Sequence, residues 1–328
     1  MPAPVDRVDD LQRRHVVLGL PLAVLYKFFD DQGSYLAVVV TYYTFVAIFP
    51  LLLIASSVLG FVLQGNPDLQ REVLDSALSQ FPIVGDQLGR PGGLQGSTSA
   101  VVIGSITALY GVLGLGQAAQ NAVNTVWAIP RNSRLNPVLS RVTSMLGLFV
   151  AGLTVLAVTV VTSVASHLDI FGPHFDRGLG WLFAIVSVVI NASVLALMMR
   201  LAPTHRQGFL ASLPGAFFVA VLWQALQTIG GAYVRHVIDH VGSMNGVFAI
   251  VLGLMALLYL AAVIAVLGLE VNVVLKQRLF PRALLTPFTD AVSLTEADRR
   301  AYVAYAKAQR HKGFEKVEVS FDDDAESS

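Results

Sequence analysis

The sequence predicts an all-α integral membrane protein: a bundle of six transmembrane helices, N- and C-termini cytoplasmic, with an external amphipathic helix between spans one and two. Three observations predict it. Of 328 residues, 55% are hydrophobic and only 13% charged, where a soluble domain carries about 25%. Six windows (32–67, 91–130, 142–168, 178–199, 207–234 and 240–269) contain no Asp, Glu, Lys or Arg, and each exceeds the roughly 18 residues a spanning helix requires. The Lys and Arg residues between the windows are also lopsided, eighteen on one side of the membrane and four on the other, which places the basic side in the cytoplasm.

Composition excludes several activities. Net charge is zero and cysteine is absent. A balanced charge argues against an electrostatic nucleic-acid binder, and the lack of cysteine removes disulfides, thiolate metal sites and thiol nucleophiles.

Residues 1–34 form the cytoplasmic or interfacial N-terminal segment. Arg13 and Arg14 precede an apolar run from Val16 to Leu25, as in a signal peptide, but no small-residue cleavage site follows. The segment is expected to be uncleaved, lying in the interface or docked on the bundle. The transmembrane domain occupies 35–276, with helices expected near Tyr35–Leu63, Ala100–Trp127, Val142–Ser166, Gly180–Leu201, Gly208–Ile229 and Gly246–Leu275. Between the first two, apolar residues at 69, 73, 74, 77, 78 and 81 recur at helical spacing and predict an interfacial helix over Asp68–Phe81. The polar cytoplasmic tail is 277–328. It begins in a basic juxtamembrane stretch, Lys276 to Arg282, suited to anionic headgroups. Ser293 and Glu296 read as a capping box that opens a helix to about Gln309, and the acidic end is expected to be disordered.

Polar residues inside the spans are the informative ones, because hydrocarbon penalises them. Gln117, Gln120, Asn121 and Asn124 fall at offsets that put all four on one face of span two. Tyr42 and Tyr43 reach a similar depth in span one. Arg200 closes span four, and Glu270 and Asn272 lie at the cytoplasmic end of span six. One reading has these groups lining an inward-facing pocket; the other has the amides bridging helices as structural glue. Glu270 is expected either to pair with Arg200 or Lys276 or to serve proton coupling. Pro50 and Pro214 interrupt spans one and five as kinks or hinges, and Gly111, Gly114 and Gly116 suit close helix packing. His236 and His240, four apart, are weak metal candidates without a third ligand, so no metal or cofactor is assigned. No nucleotide loop, nucleophile elbow or paired-acid motif occurs.

Several segments resemble the YihY/BrkB family. They are Tyr35-Leu-Ala-Val-Val-Val-Thr-Tyr-Tyr-Thr-Phe-Val-Ala-Ile-Phe-Pro50-Leu-Leu-Leu, Asn121-Ala-Val-Asn-Thr-Val-Trp127, Arg200-Leu-Ala-Pro203, Leu213-Pro-Gly-Ala216, Tyr233-Val-Arg235, Leu258-Tyr-Leu260 and Leu267-Gly-Leu-Glu270-Val-Asn272. The likeness runs in order from about Phe28 to Leu279 and leaves the tail outside. Val38-Val39-Val40 stands where the family has alanines. The resemblance implies a six-span bacterial inner-membrane protein of envelope integrity. Members were once labelled a transfer-RNA-processing ribonuclease; nothing in this charge balance or residue set supports nuclease chemistry.

The expected function is therefore a transporter or flippase-like activity on an envelope lipid or polar solute, with membrane lipids as partners and no nucleic acid. A non-transporting scaffold of envelope assembly is the alternative, and a membrane-bound hydrolase ranks last.

Overall fold

The computed structural model of the chain describes residues 9, 11–62, 98–136, 138–147, 178–200, 208–240, 243–284 and 292–321. Helix α1 covers Val16–Asp30, and after a left-handed turn at Gln32 (φ 55°) α2 covers Gly33–Val62. Helix α3 is Thr98–Val126, residues 138–147 form α4, and α5 is Gly178–Arg200. Then follow α6, Phe209–His240, α7, Ser243–Gln277, and α8, Glu296–Ala308. No strand occurs among the described residues.

The helices coincide with the charge-free windows because an apolar run with no competing side-chain chemistry satisfies its backbone internally. The helices also run past the window edges, α6 through Arg235 and Asp239 and α7 through Glu270 and Lys276. Both α3 and α7 close on a left-handed residue, Ala128 (φ 49°) and Arg278 (φ 53°). In each, the following N–H reaches back five residues, Ile129 to the Asn124 carbonyl and Leu279 to the Val274 carbonyl, the bond of a Schellman ending. Within the described residues, Phe209–Gly230 and Val251–Gln277 are long and apolar enough to cross a membrane, with mean hydropathies of 1.8 and 2.6. Gly33–Ile48 and Val188–Met199 are shorter apolar stretches.

Helix α7 sits at the centre, packed against α1, α2, α3 and α6, while α5 packs on α6 and α2 on α3. Two of these contacts depend on missing side chains. A Cβ on Gly111 would lie 2.8 Å from the Ala47 backbone nitrogen, and one on Gly215 would lie 2.0 Å from the Gly268 carbonyl. Backbones so close admit no larger residue. One apolar core joins Ile48 to Leu226, Leu254, Leu257 and Leu258. A second, at the end where α1 docks, joins Val24 and Phe28 to Trp127, Val273, Val274 and Ala301.

Several expectations are refined. The segment before α2 is a helix packed on the bundle through Ala23, Val24 and Phe28. The tail helix is present, but its cap is Thr295 with Asp298, not Ser293 with Glu296: the Thr295 hydroxyl accepts the Asp298 N–H, and the Asp298 carboxylate accepts the Thr295 N–H at 3.0 Å. Asp298 wins because its short side chain also reaches the Ala283 N–H. Helix α6 continues past Ile229 to His240. The helix expected over 68–81, the rest of span three beyond 147 and the acidic end at 322–328 lie outside the described residues.

Candidate functional site

Two polar constructions stand out, and both sit at or lead from the end of the bundle that carries α1 and α8. The first is a chain of buried charges. Lys27 and Asp31, four residues apart, share the inward face of the α1 terminus, and the Lys27 ammonium donates to the Asp31 carboxylate. Lys27 Nζ also stands 3.4 Å from Glu270 Oε2 of α7. The side chains of Lys27, Asp31 and Glu270 are 1%, 3% and 0% exposed. Burial works against the Lys27 charge, but Glu270 and Asp31 outweigh it and hold the ammonium above the ordinary lysine range. At Asp31 burial prevails over Lys27, and its carboxyl is raised.

Beside this triad lies a second group. Arg282, buried to 1%, gives its Nε–H to Asp298 and an Nη2–H to Asp30 at 3.1 Å. Asp298 also receives the Ala283 N–H at 3.0 Å, and the Thr295 hydroxyl donates to the Pro281 carbonyl at 2.8 Å. Tyr305 links the groups: its hydroxyl donates to Asp30 at 3.2 Å, and its ring lies 5.4 Å from Lys27 Nζ. Burial, with the carboxylates of Asp31 and Asp30 behind it, holds the Tyr305 phenol neutral well above its usual range. Gln12 and Asp9 fasten the N-terminal end to the segment after α7, Gln12 through the Arg282 carbonyl and Asp9 through the Leu284 N–H. Thus α1, the segment 279–284 and α8 form one charge-stapled collar on α7.

The second construction is the amide face of α3, which divides. Gln120 is buried, and its Nε2 donates to the Ser140 carbonyl and the Thr143 hydroxyl, each at 3.1 Å, while the Ser140 hydroxyl donates to Gln120 Oε1. Gln117 donates to Ser140 Oγ at 3.2 Å but remains exposed, as does Asn121. Asn124 is buried, and its Oδ1 meets no donor among the described residues. Tyr43 packs its ring over Gly114 and lies 5.2 Å from the Tyr42 ring and 5.8 Å from that of Tyr110. Tyr42 and Tyr110 are about half exposed.

The sequence-designated residues therefore do not converge on one spot. Glu270 pairs with Lys27; Lys276 instead lies 5.2 Å over the Trp127 ring, and the expected Arg200 partner has a side chain outside the described residues. Asn272 turns to α6. Its Oδ1 accepts the Gly215 N–H at 2.8 Å and its Nδ2 donates to the Ser212 carbonyl at 3.3 Å, on either side of Pro214. Helix α2 continues through Pro50 and α6 through His236 and His240, whose side chains are not described. No group of three metal-binding side chains occurs among the described residues. Sequence reasoning missed Lys27, Asp31, Arg282, Asp298 and Ser140. The Lys27–Asp31 spacing of four at the end of an apolar run was the available signal.

The model of the family described as virulence factor BrkB matches residues 24–290 of this sequence. The chain belongs to that family. It is similar to the inner membrane protein YhjD of Escherichia coli (strain K12), with 24% identity over 272 residues, 77% of this chain and 80% of the relative. No solved structure matches the chain. The family match takes in Lys27, Asp31, Glu270 and Arg282 but ends before α8, so Asp298 and Tyr305 lie outside the matched stretch.

Proposed function

We propose that this chain is a six-span protein of the bacterial cytoplasmic (inner) membrane, both termini cytoplasmic, that binds and moves an envelope lipid or polar solute. One observation carries the reading. Tyr110, Gln117 and Asn121, at offsets 0, 7 and 11, share a face of α3 and are exposed, with Tyr42 exposed beside them. On a helix otherwise fitted to hydrocarbon, exposed phenols and amides are penalised unless a polar ligand or water meets them. The stripe extends about 16 Å along the helix, half the thickness of a bilayer core. It starts near the collar at the cytoplasmic end, so a headgroup entering there follows a polar lane toward the midplane.

The scaffold reading would use the tail as a docking arm. Against it, the tail helix already spends its apolar and acidic side on this chain, with Ala297, Asp298 and Ala301 buried. The reading assigns no catalytic chemistry and no nucleic-acid partner.

The test is lipid transfer in vesicles of phosphatidylethanolamine and phosphatidylglycerol carrying a trace of headgroup-quenchable fluorescent lipid. The Gln117→Leu/Asn121→Leu double variant should lose most of the transfer while keeping its helix content. Full transfer by the folded variant would remove the stripe from the mechanism. Absence of transfer by the wild type would remove the function.

A further inference from the structure

The collar contains one more acid than its cations can neutralise at the point of deepest burial. Among the described residues the charged groups around Glu270 are few. From α1 come Lys27 and Asp31; Asp30 is turned to Arg282, which is also held by Asp298 of α8. From α8 comes the Tyr305 phenol, bonded to Asp30. Lys276 on α7 itself stands over Trp127. The charge-free windows 32–67, 91–130 and 207–234 mean that α2, α3 and the first part of α6 bring no charged side chain. Among the described side chains, two carboxyl groups, Glu270 and Asp31, thus face a single ammonium, each within 4 Å of Lys27 Nζ.

The hydrogen bonding says which acid is in excess. The Lys27 ammonium donates a hydrogen bond to Asp31, whereas to Glu270 it is an ion-pair neighbour at 3.4 Å, and neither buried Glu270 oxygen has a hydrogen-bond donor among the described residues. An ionised Glu270, sealed from water and without a hydrogen bond, would have to share the one Lys27 ammonium with a second carboxylate, which is electrostatically costly. A neutral carboxylic acid in the same place needs only an acceptor for its one O–H, and Asp31 supplies it.

We propose that Glu270 and Asp31 form a proton-binding pair that holds one proton at neutral pH, carried on Glu270 and shared toward Asp31, with Lys27 as the fixed counter-charge. The proton belongs to the pair, as in other contacting carboxyls. Loss of the proton would leave a net negative charge between α1 and α7 and drive the two helices apart. The pair is thereby a site at which proton binding and the docking of α1 are the same event. The inference stands on the collar alone and does not depend on what the protein carries.

Infrared difference spectroscopy between neutral and alkaline pH, on the full chain in lipid, tests it. The wild type should show a protonated-carboxyl C=O band at neutral pH that shifts in heavy water. Glu270→Gln should fold, since the amide imitates the neutral acid, and should lack the band. Asp31→Asn, which leaves one acid for one ammonium, should also lack it because Glu270 then ionises. A wild type without a protonated carboxyl at neutral pH overturns the proposal with no variant needed. A band that survives in folded Glu270→Gln overturns it equally.

Discussion

Asn272 of α7 bonds to the backbone of α6 on both sides of Pro214, accepting the Gly215 N–H at 2.8 Å and donating to the Ser212 carbonyl at 3.3 Å. Proline removes an N–H and obstructs the helical bond to the residue four earlier, so groups near it lack their usual partners. Here a neighbouring helix supplies an acceptor for the Gly215 N–H next to the proline. Gly215 and Gly268 permit the approach, since a Cβ on either would collide with the facing helix.

Removing that bridge should cost stability. Asn272→Leu strands a buried N–H, a loss of about 1–3 kcal/mol, and Gly215→Ala forces α6 from α7 at a similar cost of about 1–3 kcal/mol. Gly208→Ala is the control, because its Cβ would meet nothing within 4 Å. Thermal unfolding in detergent should show lower midpoints for the first two and little change for the third.

Arg282 should be the residue on which the tail depends. Arg282→Met leaves Asp298 buried without its cation, a situation that costs about 3–5 kcal/mol. The simplest relief is release of α8. Limited proteolysis should then cleave between 284 and 310 far faster than in the wild type while 35–276 stays intact. Arg282→Lys should restore little, since one ammonium cannot span Asp298 and Asp30 as the guanidinium fork does.

The collar should fail in alkali, not in mild acid. Tyr26, Tyr302 and Tyr305 are raised, each mainly by burial, and Lys27 is raised because Glu270 and Asp31 outweigh its burial. A raised folded value means stability that is fully present below the unfolded value and lost as pH rises through the folded one. For the tyrosines and Lys27 the loss begins above about pH 10, where an exposed tyrosine ionises. Ultraviolet absorbance of tyrosinate should show a late-titrating group of tyrosines that ionises together with release of α8.

How much of this was legible follows from the kind of signal involved. Helix positions were, because a run without charge is a local property; α2 was expected over Tyr35–Leu63 and lies at Gly33–Val62. Helix endings were not, since Ala128 and Arg278 take the left-handed conformation where glycine would have announced it. The spacing of Gln117, Gln120, Asn121 and Asn124 gave a shared face, but not the division that Ser140 imposes by binding Gln120 and leaving Asn121 exposed. The partner of Glu270 was the least legible part of the chemistry. Arg200 and Lys276 were close along the expected helix ends, whereas Lys27 lies in a segment whose docking no local pattern encodes. Asp298 was hidden by the competing Ser293–Glu296 cap.

The central claim is that the collar and the polar stripe share one membrane orientation, with both chain ends inside the cell. The absence of cysteine makes this directly measurable with single substitutions Ala3→Cys, Ser76→Cys and Ser320→Cys and a membrane-impermeant maleimide. The account predicts labelling of the Ser76→Cys variant in cells whose inner membrane is intact, and of the other two only after that membrane is opened. Labelling of Ala3→Cys and Ser320→Cys from opposite sides would contradict it.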